Sequence, residues 1–323
     1  MFFQPEISVI IPTYNRSELV REAVLSVLRQ DAREIVFEII VVDNNSSDDT
    51  EAVIKSLIAR NEGNLQYLVE RQQGNAYARN AGIAKAQGSL IAFIDDDVVV
   101  EGNWLGLLNA TFQERGDLSF VGGRVLPRWN NPLPSWLTRK HWSPLALIDY
   151  GEEEFLISGQ NPIGLLTANI AFRRNVFDEL GVFSPELQRV KNGIGSLEDH
   201  EFLMRVCRSG KKGLYVPRLV AVAPVDLSRL TKDYHRRWHS GHGQFYAILS
   251  DSEWERSHFK FMGVPGHLYR ETATHAVSWF SRMMRGTPDA AFEHECKLRF
   301  FGGFFVERQR SRRRTAGAFL RKS

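Results

Sequence analysis

The chain has 323 residues, 43% of them hydrophobic and 24% charged, with a formal net charge of +3, which is ordinary for a soluble globular protein with a large core. No apolar run approaches the roughly 18 residues of a membrane-spanning helix, and the start lacks the features of a signal peptide, so we expect a cytoplasmic protein. Cys207 and Cys296 lie far apart in helical patterns, which favours small buried groups over a disulfide or a metal pair.

Strand and helix patterns alternate over the first third of the chain. The predicted strands are residues 7–11, 38–43, 65–69 and 90–94. This alternation predicts an α/β fold with an open, mostly parallel twisted sheet that has helices on both faces. Asn15 and Glu18 have the spacing of a capping box for the first helix. The turn after the first strand has no glycine, which excludes a dinucleotide-binding fingerprint and a glycine-rich phosphate loop there.

Three consecutive carboxylates follow the fourth predicted strand. Residues 90–94 have the pattern of a strand buried on both faces, and Asp95, Asp96 and Asp97 come directly after it. Adjacent acids resist burial, and the return to apolar sequence at residues 98–100 disfavours a merely solvated turn. Open α/β sheets bind ligands at the carboxyl ends of their strands, and hard oxygen ligands suit Mg²⁺ or Mn²⁺ bridged to phosphates. We therefore predict a metal–phosphate site here.

Asp43 and Arg79 are further candidates for the same site. Asp43 ends the second strand at the edge that carries the acids, where it either caps its turn or accepts a hydrogen bond from a nucleobase or ribose. Arg79 lies between alanines in a closely packed helix, either as a structural ion pair or as a clamp for a diphosphate. The residues alone leave both choices open.

The regular alternation stops near residue 122. Residues 124–151 are rich in proline and tryptophan, which is typical of a lid or binding loop, or of a packing segment. Glu198 and Asp199 begin a predicted helix, where they either complement its dipole or supply a general base. The composition changes at residue 226, which predicts a domain over residues 1–225 and a C-terminal helical region with a basic tail over residues 226–323.

The chain ends in a basic segment. Residues 308–323 hold seven basic side chains and no acid, after an aromatic stretch over residues 300–305 whose rings we expect to be partly exposed. The segment is either a solvated, disordered tail or an attachment to anionic lipid, to which each cation contributes about 1 kcal/mol.

Six motifs occur in a characteristic order. They are residues 9–16, 40–48, 78–82, 93–97 and 167–173 and the pair Glu198–Asp199. Together they resemble the family 2 glycosyltransferases of the GT-A fold, over residues 6–220. The resemblance implies an inverting, metal-dependent enzyme of the hexosyltransferase type that moves a sugar from a nucleotide diphosphate sugar, expected to be UDP-linked, to an acceptor hydroxyl. The expected acceptor is a saccharide or lipid-linked saccharide in bacterial-type polysaccharide or glycolipid synthesis, and no nucleic acid is expected as a partner.

The resemblance also implies roles for individual residues. Asp97 is the expected ligand of Mn²⁺ or Mg²⁺, and Asp95 or Asp96 is the expected ribose ligand. Asp199, with Glu198 as the alternative, is the expected base that takes the acceptor proton. The nucleobase, ribose and diphosphate are expected to meet Pro12, Thr13, Tyr14, Asp43 and Arg79.

Some features depart from the family or leave alternatives. Processive members carry a Gln-x-x-Arg-Trp signature, of which only Arg237 and Trp238 remain, so we expect a non-processive enzyme. His235, His239 or His242 is a candidate further metal ligand, with a surface or supporting role as the alternative. The rival functions are a sugar nucleotidyltransferase, which needs a glycine-rich loop after the first strand, and a catalytically silent scaffold that binds sugar nucleotides. If the basic end binds lipid, the protein lies at the inner face of the membrane.

Overall fold

The structure is a computed structural model that describes residues 5–32, 34–60, 64–188, 197–249 and 259–320, without the side chains of residues 313 and 315–320. The predicted cations Arg321 and Lys322 lie outside the described residues. The chain divides into two compact units, and our division into domains at residue 225 stays a prediction. The first unit comprises Met1–Asn130, Ala146–Val190 and Glu198–Pro224, and the second comprises Asn131–Leu145, Lys191–Leu197 and Val225–Ser323.

The first unit is built on one sheet, which has nine strands within the described residues. They are β1 (Ile7–Thr13), β2 (Phe37–Asp43), β3 (Leu65–Val69), β4 (Leu90–Phe93), β5 (Val99–Val100), β6 (Leu118–Arg128), β7 (Phe155–Ile157), β8 (Ile170–Arg173) and β9 (Lys212–Pro224). Their order is β3-β2-β1-β4-β8-β6-β9-β5, and β7 pairs with β9. The first four strands run parallel, as do β6 and β9, whereas β5, β7 and β8 pair antiparallel. The predicted open, mostly parallel α/β sheet is confirmed.

Helices alternate with the strands of this unit. They are α1 (Ser17–Leu28), α2 (Thr50–Ile58), α3 (Asn75–Lys85), α4 (Trp104–Glu114), α5 (Asn175–Leu180) and α6 (Glu198–Arg208). In α1, Val20, Val24 and Val27 recur at helical spacing, and all three are fully buried. The burial of this apolar face explains why the segment is a helix.

The predicted capping box before α1 is wrong. The N-cap of the helix is Arg16, whose side chain makes no capping hydrogen bond, and the amide of Ser17 at the start of the helix donates to Asp48 Oδ2 at 3.0 Å. Asn15 instead takes a left-handed φ of 52°, a conformation that asparagine tolerates better than most residues. Its Oδ1 accepts a hydrogen bond of 2.7 Å from the Ser47 amide, so Asn15 links the first two strand-to-helix turns.

The strand that precedes the acids, β4, lies in the core. All four of its residues are buried, and the Phe93 ring meets Phe172, Phe177 and Phe183 edge to face, with centroids 5.5–6.2 Å apart. Such ring pairs each contribute about 0.5–1.5 kcal/mol beyond the area they bury. The acids therefore follow a firmly packed strand.

The second unit is mainly helical. It contains α7 (Lys232–Leu249), α8 (Gly266–Met284) and α9 (Pro288–Leu320), and a short hairpin of β10 (Lys260–Phe261) and β11 (Val264–Pro265) precedes α8. Phe300, Phe301 and Phe304 of α9 form its core with Ala247 and Leu268. The expectation that the rings of this stretch are partly exposed is therefore wrong for these three, because α9 packs against both α7 and α8. No helix in the described part of the chain is long and apolar enough to cross a membrane.

Two glycines let α7 and α9 approach at backbone distance. A Cβ on Gly243 would lie 2.0 Å from the carbonyl oxygen of Phe300, and a Cβ on Gly303 would lie 2.0 Å from that of Ser240. No other residue fits such a contact without moving the helices apart. At the adjacent Gly302, a Cβ would meet no heavy atom of the described residues within 4 Å beyond its own stretch of helix.

This contrast gives a stability prediction. Gly303→Ala should lower the free energy of unfolding by about 1–3 kcal/mol, because the new methyl group overpacks the α7–α9 contact. The matched control Gly302→Ala should raise it by about 0.5–1 kcal/mol, because alanine favours an open helix position. Urea denaturation followed by circular dichroism measures both changes, and equal effects at the two sites would contradict the close contact.

Candidate active site

Parallel strands bring several of the predicted residues to one edge of the sheet. β1 ends at Thr13, which is in register with Asp43 at the end of β2. β4 ends two residues before the acidic triplet, Asp95–Asp97. Pro12 is buried within β1, whereas Tyr14 directly after this strand is 47% exposed. This edge is where open α/β sheets bind their ligands.

Arg16 joins the second and third acids of the triplet. Its Nη1 donates to Asp96 Oδ1 at 2.8 Å and to Asp97 Oδ2 at 3.0 Å. Asp96 is buried and also accepts a hydrogen bond of 2.9 Å from Thr13 Oγ1. Burial raises the pKa of Asp96 to about 6, with the Arg16 charge opposing and the Asp97 charge adding to this shift. The guanidinium thus offsets the repulsion between two adjacent carboxylates.

Arg79 connects the first acid of the triplet with α6. This arginine is 2% exposed, and its Nη1 donates to Glu198 Oε1 at 2.9 Å while its Nη2 donates to Asp95 Oδ1 at 3.1 Å. Burial lowers the pKa of Arg79, but the Asp95 and Glu198 charges outweigh burial and raise it. The structural ion pair proposed for Arg79 is therefore present, and it also includes a residue of the triplet.

Asp199, next to Glu198 in the first turn of α6, lies in the same electrostatic environment. Burial raises the pKa of Asp199, the Arg79 charge opposes the shift, and the Asp95 charge adds to it. Its Oδ1 accepts a hydrogen bond of 2.8 Å from the His200 amide. A carboxylate with a raised pKa beside a ligand-binding edge is a suitable proton acceptor.

Asp43 makes the turn-capping contact that was one of its two predicted roles. Its Oδ1 accepts a hydrogen bond of 2.8 Å from the Ser46 amide, and its Oδ2 accepts one from the Tyr67 hydroxyl. The neighbouring Asn44, which the sequence did not single out, is buried and binds the segment before α3. Its Nδ2 donates to the carbonyl of Gln72 at 2.7 Å, and its Oδ1 accepts from the Gly74 amide at 2.7 Å.

The carboxylates of the triplet fit a divalent ion in ligand chemistry, because oxygen atoms are the ligands that Mg²⁺ and Mn²⁺ prefer. The side chains of Asp95 and Asp97 are 32% and 20% exposed, against 8% for Asp96. Within the described residues no three His, Cys, Asp or Glu side chains form a ready cluster for a metal, so an ion held by the triplet would take further ligands from a diphosphate or water. Arg16 bridges Asp96 and Asp97, and its side chain would have to turn away for an ion to bind both.

The three candidate histidines lie in α7 of the second unit. His235 is fully buried, and its ring centroid lies 4.9 Å from that of Trp136. Burial lowers the pKa of His235 to about 4 and that of His239 to about 3. His242 stacks on Trp238 at 4.2 Å. These contacts describe packing roles, and a metal-ligand role for any of the three stays a prediction.

Asn169, from the motif at residues 167–173, has a structural task. It is buried, and its Oδ1 accepts a hydrogen bond of 2.8 Å from Trp104 Nε1. Its Nδ2 donates to the carbonyl oxygens of Arg124 at 2.7 Å and Leu219 at 2.8 Å, which lie in β6 and β9. One amide therefore fastens α4 to two strands of the sheet.

Comparison with known proteins agrees with this arrangement. The family model described as glycosyl transferase family 2 matches residues 8–181, more than half of the chain and the whole edge from β1 to the acidic triplet. The chain belongs to glycosyl transferase family 2. The resemblance inferred from the six motifs is thereby confirmed.

Several curated relatives are also glycosyltransferases. Glycosyltransferase AglE of Haloferax volcanii is 36% identical over 122 residues, which are 38% of this chain and 40% of the relative. The GalNAc(5)-diNAcBac-PP-undecaprenol beta-1,3-glucosyltransferase of Campylobacter jejuni is 39% identical over 29% of this chain and 30% of its own length. The glucosyl-dolichyl phosphate glucuronosyltransferase of H. volcanii is 29% identical over 61% of both chains. The chain thus spans less than two thirds of each of these relatives.

Solved structures share the fold at low identity. The mannosyltransferase PcManGT from Pyrobaculum calidifontis, in complex with GDP-Man and Mn²⁺, has a TM-score of 0.61 and 17% identity over 95% of this chain and 88% of its own. S. aureus TarS 1–349 in complex with UDP-GlcNAc has a TM-score of 0.55 and 17% identity over 96% of this chain and 92% of its own. These likenesses confirm the GT-A fold.

The position of Arg16 gives a prediction that does not depend on turnover. Arg16→Gln should lower the free energy of unfolding in metal-free buffer by about 1.5–3 kcal/mol, because charge-assisted hydrogen bonds to Asp96 and Asp97 are lost. The same variant should show a larger rise in melting temperature on adding Mn²⁺, because no guanidinium competes for the carboxylates.

Arg115→Gln is the matched control, since Arg115 pairs with Asp117 at a site where both side chains are more than 40% exposed. Its stability should change by less than about 0.5 kcal/mol, with an unaltered response to Mn²⁺. A smaller Mn²⁺ response in Arg16→Gln than in the wild type would mean that Arg16 supports the ion instead of competing with it.

Proposed function

We propose that the protein is an inverting glycosyltransferase that moves a hexose from a nucleotide diphosphate sugar, with UDP as the preferred nucleotide, to an acceptor hydroxyl. The observation that carries this proposal is the ion-pair network of Arg79, which connects Asp95 at the sheet edge with α6, where Asp199 has a raised pKa. In the proposal, this sheet edge binds the donor and Asp199 is the base beside it. Family membership supports a nucleotide-sugar donor, and so do the related structures in complex with UDP, UDP-GlcNAc and GDP-Man.

The donor is proposed to bind along the ends of β1, β2 and β4. Tyr14 has an exposed ring that is free to stack on a nucleobase, next to Thr13 and Asp43. Asp95 is the better ribose ligand of the two candidates, because its side chain is 32% exposed beside its partner Arg79, whereas Asp96 is buried and bonded to Thr13 and Arg16. Asp97, which is more exposed than Asp96, is the proposed ligand of Mn²⁺ or Mg²⁺.

The proposed transfer is a single displacement. The acceptor oxygen forms a bond to the anomeric carbon from the side opposite the diphosphate, and the bond between that carbon and the diphosphate oxygen breaks. The electron pair of that bond leaves with the diphosphate, and Asp199 takes the proton of the acceptor hydroxyl. A divalent ion, when bound, neutralises the charge that develops on the leaving group. Arg79 holds Glu198, and so fixes the first turn of α6 from which Asp199 projects.

The acceptor and location belong to the same proposal. Two of the relatives carry undecaprenol or dolichyl phosphate in their names, which supports a saccharide or lipid-linked saccharide acceptor in polysaccharide or glycolipid synthesis. We propose a cytoplasmic protein that works at the anionic inner face of a membrane, with residues 1–225 as catalytic domain and residues 226–323 as a helical extension. A screen of nucleotide sugars by thermal shift, with and without Mn²⁺, identifies the donor, because a ligand that binds the folded state raises its melting temperature.

Asp97→Ala tests the metal assignment. The variant should lose the Mn²⁺-dependent stabilisation by UDP, and turnover should fall roughly a thousandfold, which corresponds to about 4 kcal/mol of transition-state stabilisation. Asp117→Ala removes the same charge at an exposed position and should keep both properties. Wild-type turnover in Asp97→Ala would remove Asp97 from the site.

Asp199→Asn tests the base. The amide has nearly the same shape but cannot accept the proton, so transfer should fall at least about a hundredfold while donor affinity changes little. Glu198→Gln is the companion variant, since it weakens the buried pair with Arg79 and should lower stability more than Asp199→Asn does. Loss of donor binding in Asp199→Asn would place this residue in the nucleotide site, and unchanged transfer would mean that another group is the base. Absence of transfer in the wild type would favour a scaffold without catalysis.

A further inference from the structure

The outer side of α8 is apolar and exposed. Val277, Phe280 and Met284 are 70%, 60% and 72% exposed, and Ala273 and Met283 are exposed beside them. Their spacing of three, four and seven residues places them on one continuous helix face. Isolated exposed apolar residues are common, but a continuous patch of this kind usually marks an interaction surface. We call these five residues the outer face of α8.

The outer face is not needed for the core of the second unit. On the opposite side of α8, Leu268 is fully buried and packs in the cluster that contains Phe300 and Phe304. His275 on that side lies with its Nδ1 3.0 Å from Nδ1 of His294 in α9. The side of α8 that carries Leu268 and His275 therefore packs on the rest of the unit, and the outer face of α8 is exposed.

The hairpin before α8 extends this surface. Phe261 and Met262 at its turn are 56% and 48% exposed, and Phe259 beside it is exposed as well. Tyr269 anchors the hairpin to α8, because its hydroxyl donates to the Phe261 carbonyl at 3.0 Å and the two ring centroids lie 6.0 Å apart. Tyr269, Ala276 and Met283 lie seven residues apart along one edge of α8. The Tyr269 ring also meets that of Phe305 in α9, with centroids 5.0 Å apart, so the hairpin joins the outer face at the edge that borders α9.

The charged residues around this surface are mostly cations, which favours an anionic partner. Lys260 lies in the hairpin, Arg270 lies on the first turns of α8, and Arg285 follows its last turn, while Glu271 is the only acid in the helix. A second copy of the chain is disfavoured by like-charge repulsion, because antiparallel pairing would bring Arg270 of one copy near Arg285 of the other, and parallel pairing would bring each cation near its own counterpart. An anionic surface is instead complementary to these cations.

We propose that the outer face of α8 and the turn of the hairpin insert into the headgroup region of an anionic lipid bilayer. A helix with a wide apolar side and flanking cations binds in the plane of such an interface, with its apolar side chains buried at the acyl boundary. Phenylalanine and methionine supply the buried apolar area, and the cations bind lipid phosphates. The inference rests on the proposed function, since a lipid-linked acceptor would lie in the same bilayer.

Vesicle flotation with the full chain tests this surface. The wild type should float with vesicles of phosphatidylcholine mixed with phosphatidylglycerol, much less with phosphatidylcholine alone, and less as salt is added. The combined variant Val277→Ser, Phe280→Ser, Met284→Ser should bind at least about tenfold more weakly, because apolar insertion is lost. Arg270→Gln with Arg285→Gln should bind more weakly mainly to the anionic vesicles.

The matched control replaces three exposed apolar residues elsewhere, as Val69→Ser, Leu133→Ser, Val182→Ser. It should float like the wild type, and circular dichroism melting should find all variants folded. Undiminished flotation of the folded outer-face variant overturns the proposal. So does a wild-type dimer in light scattering that the outer-face variant converts to a monomer, because the face would then bind a second copy.

Thermal stabilisation by UDP-sugars with Mn²⁺ separates this proposal from the proposed function. The outer-face variant should keep the wild-type response, because none of its changed residues belongs to the candidate active site. If the wild type floats but binds no nucleotide sugar, the membrane-binding surface stands and the proposed enzymatic function is rejected. If it binds nucleotide sugars but does not float, the proposed function stands and the membrane-binding surface is rejected.

Discussion

One buried guanidinium organises the candidate active site. Arg79 is almost inaccessible to water, and its charge is offset by two carboxylate partners, Asp95 and Glu198. Those partners come from the end of β4 and from the start of α6, which are distant in the sequence. Because a buried charge cannot be left uncompensated, the pairing fixes where the first turn of α6 lies relative to the sheet edge. The position of Asp199 follows from this constraint.

A second arginine explains how three adjacent acids coexist. Arg79 forms an ion pair with Asp95, and Arg16 forms ion pairs with Asp96 and Asp97, so each carboxylate of the triplet has a cation nearby. The two arginines differ in environment, since Arg79 is buried whereas the Arg16 side chain is 35% exposed. The exposed cation is the one that can move without breaking the core. The charges of the acidic triplet are thus balanced by the two arginines, and the triplet stays accessible from the side of Arg16.

Local patterns in the sequence were sufficient for the first four strands but not for the other five that the structure describes or for the contacts of the sheet. Apolar runs gave these four strands, and their shared direction placed Asp43 near the edge that carries the acids. The pair of Arg79 and Glu198 has no local signal, because 119 residues separate its members. The aromatic stretch of α9 was misjudged for the same reason, since nothing within it reveals that α7 and α8 cover it. The capping box predicted from Asn15 does not form, because the Asn15 side chain accepts a hydrogen bond from Ser47 in a different turn.

The glycine contacts between α7 and α9 also determine how these helices align. Gly243 lies against Phe300 and Gly303 lies against Ser240, so the two contacts are reciprocal and spaced by three residues on each helix. Sliding α9 by one turn would bring side chains, in place of hydrogen atoms, against the opposing backbone. The two glycine contacts therefore fix the axial register of α7 and α9 at one position of lowest energy. An insertion or deletion between the two contacts would keep both of them only if α7 and α9 changed by the same number of residues. The outer surfaces of the two helices are not subject to this constraint.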